Sequence, residues 1–578
     1  MQKRLAILFF LFYLLVGCGT MNPTSPTSTP QSSPLPQPQA GATLTPPAVE
    51  AKAPTTVQAS AMPGPKTPQD YLATATARAD FEFPLSQASR YQQPYREQYH
   101  FSPAAGWLGD PDGMVRFNDL YHVFWWGHAE SKDLVHWNER LSPMIGDNGS
   151  FSYYSGSVVV DRNNTSGLAV DSSQPPMIAI YTMHDKTSNQ ETQGLSISYD
   201  YKSFVFYDQN PVLTSERPAF RDPQVFYYAP TQRWIMVIAL SDDRKVSFYA
   251  SPDLKHWEHL SDFGPEGAFS QVWEVPDLFQ LSVDGDANHK KWVLLCGMGP
   301  NREQYFIGDF DGTKFTLDPA LNGGLKGGAP VSSNGSERAN WLDYGADYYA
   351  VRTYRDYDNA ENRVVSMGWL GNWEYANAVP TSWGKGALAL PRELGLQTYP
   401  GGLRIVQRPI PALEGLRQAP VQVGQRAVSG VSPLTEFKPR RNTYEIDASF
   451  EITNPKAKFG IKIAVYGKDT YGVSIGYDAA TSSLFLDRTN PEHGDFAGLF
   501  AKYMTAPLDA KDGKVRLHIF VDQSSIEVFA NDGEVTMSAL MFPGPESLGI
   551  ELFSENGEAT LANLSAWELD SIWGVPAR

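Results

Sequence analysis

The chain has 578 residues, of which 42% are apolar and only 19% charged; it can therefore bury more than one core, and ordinary domain sizes suggest two or three folded units. The formal net charge of −17 excludes nucleic acid as the natural partner, because binding phosphates needs a basic face, whereas an acidic chain suits a neutral substrate. No HExxH, CxxC, phosphate-loop or dinucleotide-fingerprint pattern occurs, so no metal and no cofactor are expected.

Residues 1–18 are an address. Lys3 and Arg4 precede an apolar run from Leu5 to Gly17, the length of a secretory core rather than of a membrane span. Leu15-Val16-Gly17-Cys18 resembles the lipobox of bacterial lipoproteins, which implies acylation of Cys18, anchoring to a membrane by lipid alone and an exported, cell-surface location; a plain cleaved signal is the alternative. Residues 19–70 are expected to form an unstructured tether: Gly19 to Lys66 holds no Phe, Trp or Tyr and 11 prolines, too little apolar surface to fold. Residues 71–91 read as a short helix or a strap. Cys296 is the one other cysteine and is expected to be a buried free thiol.

From residue 92 to 417 the grammar is short apolar runs separated by turns, with little helical periodicity. Asp110, in the stretch Gly106 to Gly113, opens a hairpin that turns at Asn118-Asp119. A second hairpin begins near Ser155. Phe220-Arg221-Asp222-Pro223 leads through a turn near Thr231 into Arg233 to Ile238. Trp273-Glu274-Val275-Pro276 leads through Asp284 to Asn288 into Lys291 to Leu295, and a fifth hairpin is expected over Asn340 to Tyr354. Four of the five are followed by a weak repeat: Ser131-Lys132-Asp133, Ser198-Tyr199-Asp200 and Ser251-Pro252-Asp253, each with an aromatic four residues after the Asp, and Asp311 to Phe315 with the second half of the pattern. The aspartates are 67, 53 and 58 residues apart. Five hairpins on one period predict a five-bladed β-propeller.

Innermost propeller strands line one axial channel, so residues that open different blades converge. Asp110, Asp222 and Glu274 are therefore expected at one channel mouth, flanked by Trp107, Arg221 and Trp273. The alternative is that each carboxylate caps its own turn, a common use of Asp before Pro. Residues 418–578 change to regular alternation. Lys458 to Val465, Tyr471 to Gly476, Leu484 to Leu486, Val515 to Val521, Ile526 to Phe529 and Val535 to Phe542, with a turn at Asn531-Asp532-Gly533, predict a β-sandwich.

Gln98-Tyr99-His100-Phe101 and the following GWLGDPDG, the RDP at Arg221 to Pro223, and Trp273 to Leu278 resemble three motifs of glycoside hydrolase family 32, the invertases, inulinases and levanases. Tyr154 to Ser157 with Asn163 to Gly167, Asn372 to Ala376 and Leu390 to Leu394 extend the resemblance, in order, from about Tyr95 to the C-terminus. It implies a propeller followed by a sandwich, a retaining, exo-acting hydrolase releasing fructose from fructans, fructo-oligosaccharides or sucrose, and roles for individual residues. Asp110 would be the nucleophile, Glu274 the general acid/base and Asp222 a transition-state stabiliser kept ionised by Arg221. Trp107, Trp126, Tyr154, Ser155, Arg221, Asp347 and Trp373 would bind the sugar.

Two departures stand out. Gly109 replaces the Asn that the family carries before the nucleophile, and a Gln-Tyr-Asn-Pro loop is shortened to Tyr121 to His128, where Trp125 and Trp126 are expected to add apolar surface to the rim. The loss of two donors predicts a preference for fructans over sucrose. A fructosyltransferase, an inverting furanosidase of the arabinan-cleaving type and a non-catalytic glycan-binding lipoprotein remain alternatives at this point.

Overall fold

A computed structural model of the protein describes residues 66–76, 91–140, 144–145, 149–322, 339–355, 363–467 and 471–574. The signal, Cys18, nearly all of the tether and residues 77–90 of the strap lie outside the described residues. The first described element is an α-helix, Pro68–Thr76, which starts inside the stretch expected to be unstructured. Its start is set by Thr67 and Asp70, each of whose side chains binds the other's backbone N–H (3.4 and 2.8 Å), a reciprocal capping box. Tyr71 then buries completely against blades 2 and 3 and donates to Asp208 at 2.5 Å.

Five antiparallel blades follow, the fourth and fifth linked into one sheet by the parallel pairing of Val283 with Leu396. Blade 1 is Gly113–Phe117, Leu120–Phe124, His128–Ser131 and Trp137–Arg140. Blade 2 is Phe151–Val160, Met177–Asp185, Glu191–Ser198 and Phe204–Phe206. Blade 3 is Phe220–Tyr228, Arg233–Leu240, Lys245–Ser251 and Glu258–Phe263. Blade 4 is Trp273–Val283, Asp286–Met298, Arg302–Phe310 and Phe315–Leu317. Blade 5 is Tyr349–Thr353, Val364–Leu370, Arg392–Tyr399 and Gly402–Pro409. Strands within each blade pair in chain order. Apolar side chains between neighbouring blades form the cores; Val115 and Phe124 of blade 1, for example, pack on Val158 and Ala179 of blade 2.

The repeated aspartates have one structural job. Asp133, Asp200, Asp253 and Asp311 each stand between the third and fourth strands of blades 1 to 4, and one carboxylate oxygen accepts the N–H groups of the residues two and three positions on, at 2.8–3.0 Å. Two expected hairpins differ in detail. The blade 4 turn closes at Asp284-Gly285, with Gly285 at φ 79°, so the second strand already begins at Asp286. The fifth hairpin is not folded from Asn340 to Tyr354; Tyr349–Thr353 pairs with Val364–Leu370.

The second unit is a β-sandwich built around the 20-residue strand Gly549–Glu568, which pairs with Val421–Val423, Arg426–Pro433, Tyr444–Glu451 and Lys458–Tyr466. Its core is a layer of buried aliphatic and aromatic side chains, among them Ile446, Phe459, Ile475, Leu517 and Met537. Ion pairs buried at the junction tie it to the propeller. His100 lies between Asp522 and Glu527 (2.9 and 3.0 Å), and Arg392 bonds Glu527, Asp343 and Ser538.

Candidate active site

The first strands of blades 3, 4 and 5 share a device. Each slips register with its neighbour near its start, between Arg221 and Gln224, Glu274 and Asp277, and Tyr349 and Arg352. At the equivalent residue of each bulge, Asp222, Val275 and Ala350, φ is positive (64°, 48° and 55°). A bulge re-aims a side chain that regular pleating would send to a blade interface, and left-handed backbone at non-glycine residues is strain that the surrounding structure must hold. The residues just before, Arg221, Glu274 and Tyr349, form one row. Arg221 donates to Glu274 Oε1 (2.9 and 3.2 Å) and Tyr349 Oη donates to Glu274 Oε2 (2.7 Å).

Asp110 reaches this row from the segment before blade 1. Ser155, at the bulge of blade 2, donates to Asp110 Oδ2 at 2.7 Å. Asp222 is buried, and its Oδ2 accepts the Val275 N–H at 3.0 Å. Burial, together with the charges of Asp222 and Glu274, pushes the Asp110 pKa up to about 7. Burial also pushes Asp222 up to about 7, against the pull of Arg221. The expected pairing is thus modified: Arg221 spends its hydrogen bonds on Glu274 and Glu191 (3.3 Å) and stands 3.9 Å from Asp222. Arg352, fully buried, lies beneath the cluster and donates to the carbonyls of Asp222 (3.3 Å) and Pro276.

Around these groups stands an aromatic wall. Trp107 stacks on Trp373, with ring centroids 5.6 Å apart and planes 18° apart, and Trp373 packs on Trp369 at 4.7 Å. Tyr154 stacks on His184 at 4.9 Å, and Trp126 donates through Nε1 to the Tyr154 carbonyl at 3.0 Å. Trp125 does not join Trp126 at the rim, because its ring folds back over Gly127, where a β-carbon would come within 2.3 Å of it, and packs on Phe101. Trp273 is core, fully buried, with Nε1 donating to Ala268.

Asp347 is a correction. It is fully buried, and its carboxylate accepts from Arg488 (2.8 Å), Leu540 N (2.8 Å) and the Tyr375 hydroxyl, so it joins blade 5 to the sandwich and presents no surface to a sugar. Sequence reasoning missed Tyr349, Glu191, Arg352 and Asp112. Asp112 lies inside the motif that was read, is buried, and has its pKa raised by burial and by Asp110. Tyr349 could have been found only by superposing its strand on those of Arg221 and Glu274. Two further groups of His and acidic side chains are committed elsewhere. His122 Nδ1 and His128 Nε2 are 3.1 Å apart with ring centroids 5.4 Å apart and planes within 11°, so the nitrogens face one another in a hydrogen bond, and burial pushes both pKa values down. Glu97, His100 and Asp522 belong to the junction with the sandwich.

A pair of carboxylates brought from separate segments to one polar cluster, one held by an Arg and a Tyr and the other by a Ser, beside stacked indoles, is the arrangement that a glycoside hydrolase needs. Comparison with known proteins agrees. The glycosyl hydrolases family 32 N-terminal domain matches residues 100–409 and the family 32 C-terminal domain residues 412–568. The levanase of Bacillus subtilis (strain 168) is 37% identical over 519 residues, covering 86% of this chain and 73% of that protein. The extracellular exo-inulinase of Aspergillus niger is 34% identical over 535 residues, covering 85% and 97%. The crystal structure of exo-inulinase from Aspergillus awamori superposes with a TM-score of 0.76 at 33% identity, covering 84% of this chain and all of that one. The chain belongs to glycosyl hydrolase family 32.

Proposed function

We propose that the protein is a retaining, exo-acting β-fructosidase that takes terminal fructose from fructans and fructo-oligosaccharides in preference to sucrose. One observation carries the reading: Asp110, Asp222 and Glu274, supplied by three separate segments, meet in one cluster with Arg221 and Tyr349. Asp110 as a carboxylate attacks the anomeric carbon while Glu274, as general acid, protonates the leaving oxygen. Water, deprotonated by Glu274, then releases fructose from Asp110. Asp222 is the stabilising carboxylate beside the developing oxocarbenium charge. Ser155, Tyr154, Trp126, Trp107, Trp373 and Arg221 surround the sugar.

The substrate class follows relatives named levanase and exo-inulinase. The preference for polymer rests on the stacked Trp107 and Trp373, a platform for sugar faces that does not depend on the donors lost with the Asn and the shortened loop. Acylation of Cys18 and a cell-surface location complete the proposal, supported by the Leu15 to Cys18 pattern and by relatives named extracellular. The test is the ratio of kcat/KM for levan or inulin oligomers to that for sucrose. A ratio above one is expected; a clear preference for sucrose would overturn the substrate preference while leaving the hydrolase standing.

A further inference from the structure

Each bulge that aims a site residue is held from the blade before it. A bulged residue in left-handed backbone drops out of the ladder, so its buried N–H needs an acceptor from elsewhere. At blade 3 the Asp222 N–H donates to Thr182 Oγ1 of blade 2 at 2.9 Å. At blade 4 the Val275 N–H donates to Asp222 Oδ2 of blade 3 at 3.0 Å. At blade 5 the acceptor is Glu303, on the third strand of blade 4. Its Oε1 accepts the Val351 N–H at 3.2 Å, and the Ala350 N–H faces the same carboxyl. All three acceptor side chains are buried.

Thr182 and Asp222 belong to strands that reach the cluster directly, whereas Glu303 takes no part in the chemistry described above. It is fully buried, and burial holds its carboxyl well above the ordinary carboxylate range, so it stands there as a neutral acid whose carbonyl oxygen is the acceptor. The bulge it caps begins at Tyr349, whose hydroxyl donates to Glu274 Oε2 at 2.7 Å. Gly297, the ladder partner of both Glu303 and Glu274, leaves room for the Tyr349 ring: a β-carbon there would lie 3.0 Å from its Cε2 and 3.1 Å from its Oη. Backbone and ring of Tyr349 are thus both located by the same pair of strands.

We propose that Glu303 is a positioning residue for the reaction: by capping the blade 5 bulge it holds Tyr349 against Glu274. This role rests on Glu274 being the general acid/base.

The test compares Glu303 variants at a temperature where each is folded. Glu303→Met keeps the length of the arm and removes the acceptor; kcat on a fructo-oligosaccharide is expected to fall about two- to ten-fold, the span of one net hydrogen bond. Glu303→Gln keeps a neutral acceptor and should behave like the parent. Adding Glu303→Met to Tyr349→Phe should cost little beyond Tyr349→Phe alone, because both remove the same contact, whereas a purely structural Glu303 would leave kcat unchanged or multiply the two losses. Glu303→Asp draws the acceptor back by one methylene and serves in place of Glu303→Met where that variant does not fold. Parent-like kcat in Glu303→Met, multiplied losses in the double variant, or a Glu303→Gln as damaged as Glu303→Met would overturn the proposal. A crystal structure of Glu303→Met separates the two readings. The Tyr349 hydroxyl should stand withdrawn from Glu274 whatever reaction the site performs, and an unmoved Tyr349 would contradict the positioning role, while an active Glu274→Gln would contradict the acid/base role alone.

Discussion

Asp110 governs the pH behaviour expected of the site. Its pKa is raised to about 7 by burial first and then by Asp222 and Glu274, so the free enzyme should lose the ionised form of its proposed nucleophile as the pH falls below about 7. The acid limb of kcat/KM should therefore lie well above the ordinary aspartate range; a profile flat down to pH 4 would contradict this. The same shift fixes a stability sign. Because the folded pKa is raised from 3.8, the carboxylate costs nothing at a pH below 3.8, costs progressively more as the pH rises, and exacts its full cost above about 7. Asp110→Asn should thus lose turnover yet melt at a higher temperature than the parent at pH 8, with the gain gone at pH 4. Glu274→Gln should lower kcat by about 10²–10⁴-fold, the usual contribution of a positioned proton donor, with ligand binding retained. At this scale the sequence was legible where local chemistry marks a residue: Asp110 between glycine and proline, Asp222 before proline, Glu274 between Trp and Val-Pro. Asp347 was misread because what decides its role, Arg488, lies 141 residues further on and no local pattern announces it.

The blades were legible through their turns. An Asp that accepts two successive N–H groups must stand at a fixed place relative to the strands it joins, so its recurrence marked four blades. Asp253→Ala should therefore lower stability by about 1–2 kcal/mol through the loss of charged acceptors for Lys255 and His256, without changing kcat at a temperature where both proteins are folded. A change in kcat larger than the change in folded fraction would show that this turn reaches the site. The bulges were not legible. Positive φ at Asp222, Val275 and Ala350 opposes the residues' own preferences and is imposed by packing around the channel, so no propensity argument finds it. Those bulges aim Arg221, Glu274 and Tyr349 at one another. The fifth blade was misplaced for a related reason: it lacks the Asp turn, and residues 354–363 separate its first two strands, Tyr349–Thr353 and Val364–Leu370.

Across the whole molecule, the propeller and the sandwich are joined by buried charge rather than by apolar contact alone. Asp522 accepts the backbone N–H groups of Gln98, Tyr99 and His100 as well as His100 Nδ1. Burial alone would push the His100 pKa down, but the hydrogen bonds and charges of Asp522 and Glu527 carry it up to about 10. The clamp's contribution to stability should be full below about pH 6.5, decline as the pH rises and be exhausted near 10. His100→Gln should flatten the fall in melting temperature between pH 7 and 10; an unchanged slope would place the proton elsewhere. That the chain ends in a sandwich was plain from strict alternation, whereas this junction was not, since its partners come from opposite ends of the sequence. The central claim is that Asp110 and Glu274, carboxylates from separate segments, act together in a double displacement. It is tested most directly by quenching the Glu274→Gln variant during turnover of a fructoside with a good leaving group and mapping the adduct by peptide mass spectrometry. A single fructosyl group on Asp110 is the predicted result; an unlabelled protein that releases fructose with inverted configuration, or a label on another side chain, would contradict it.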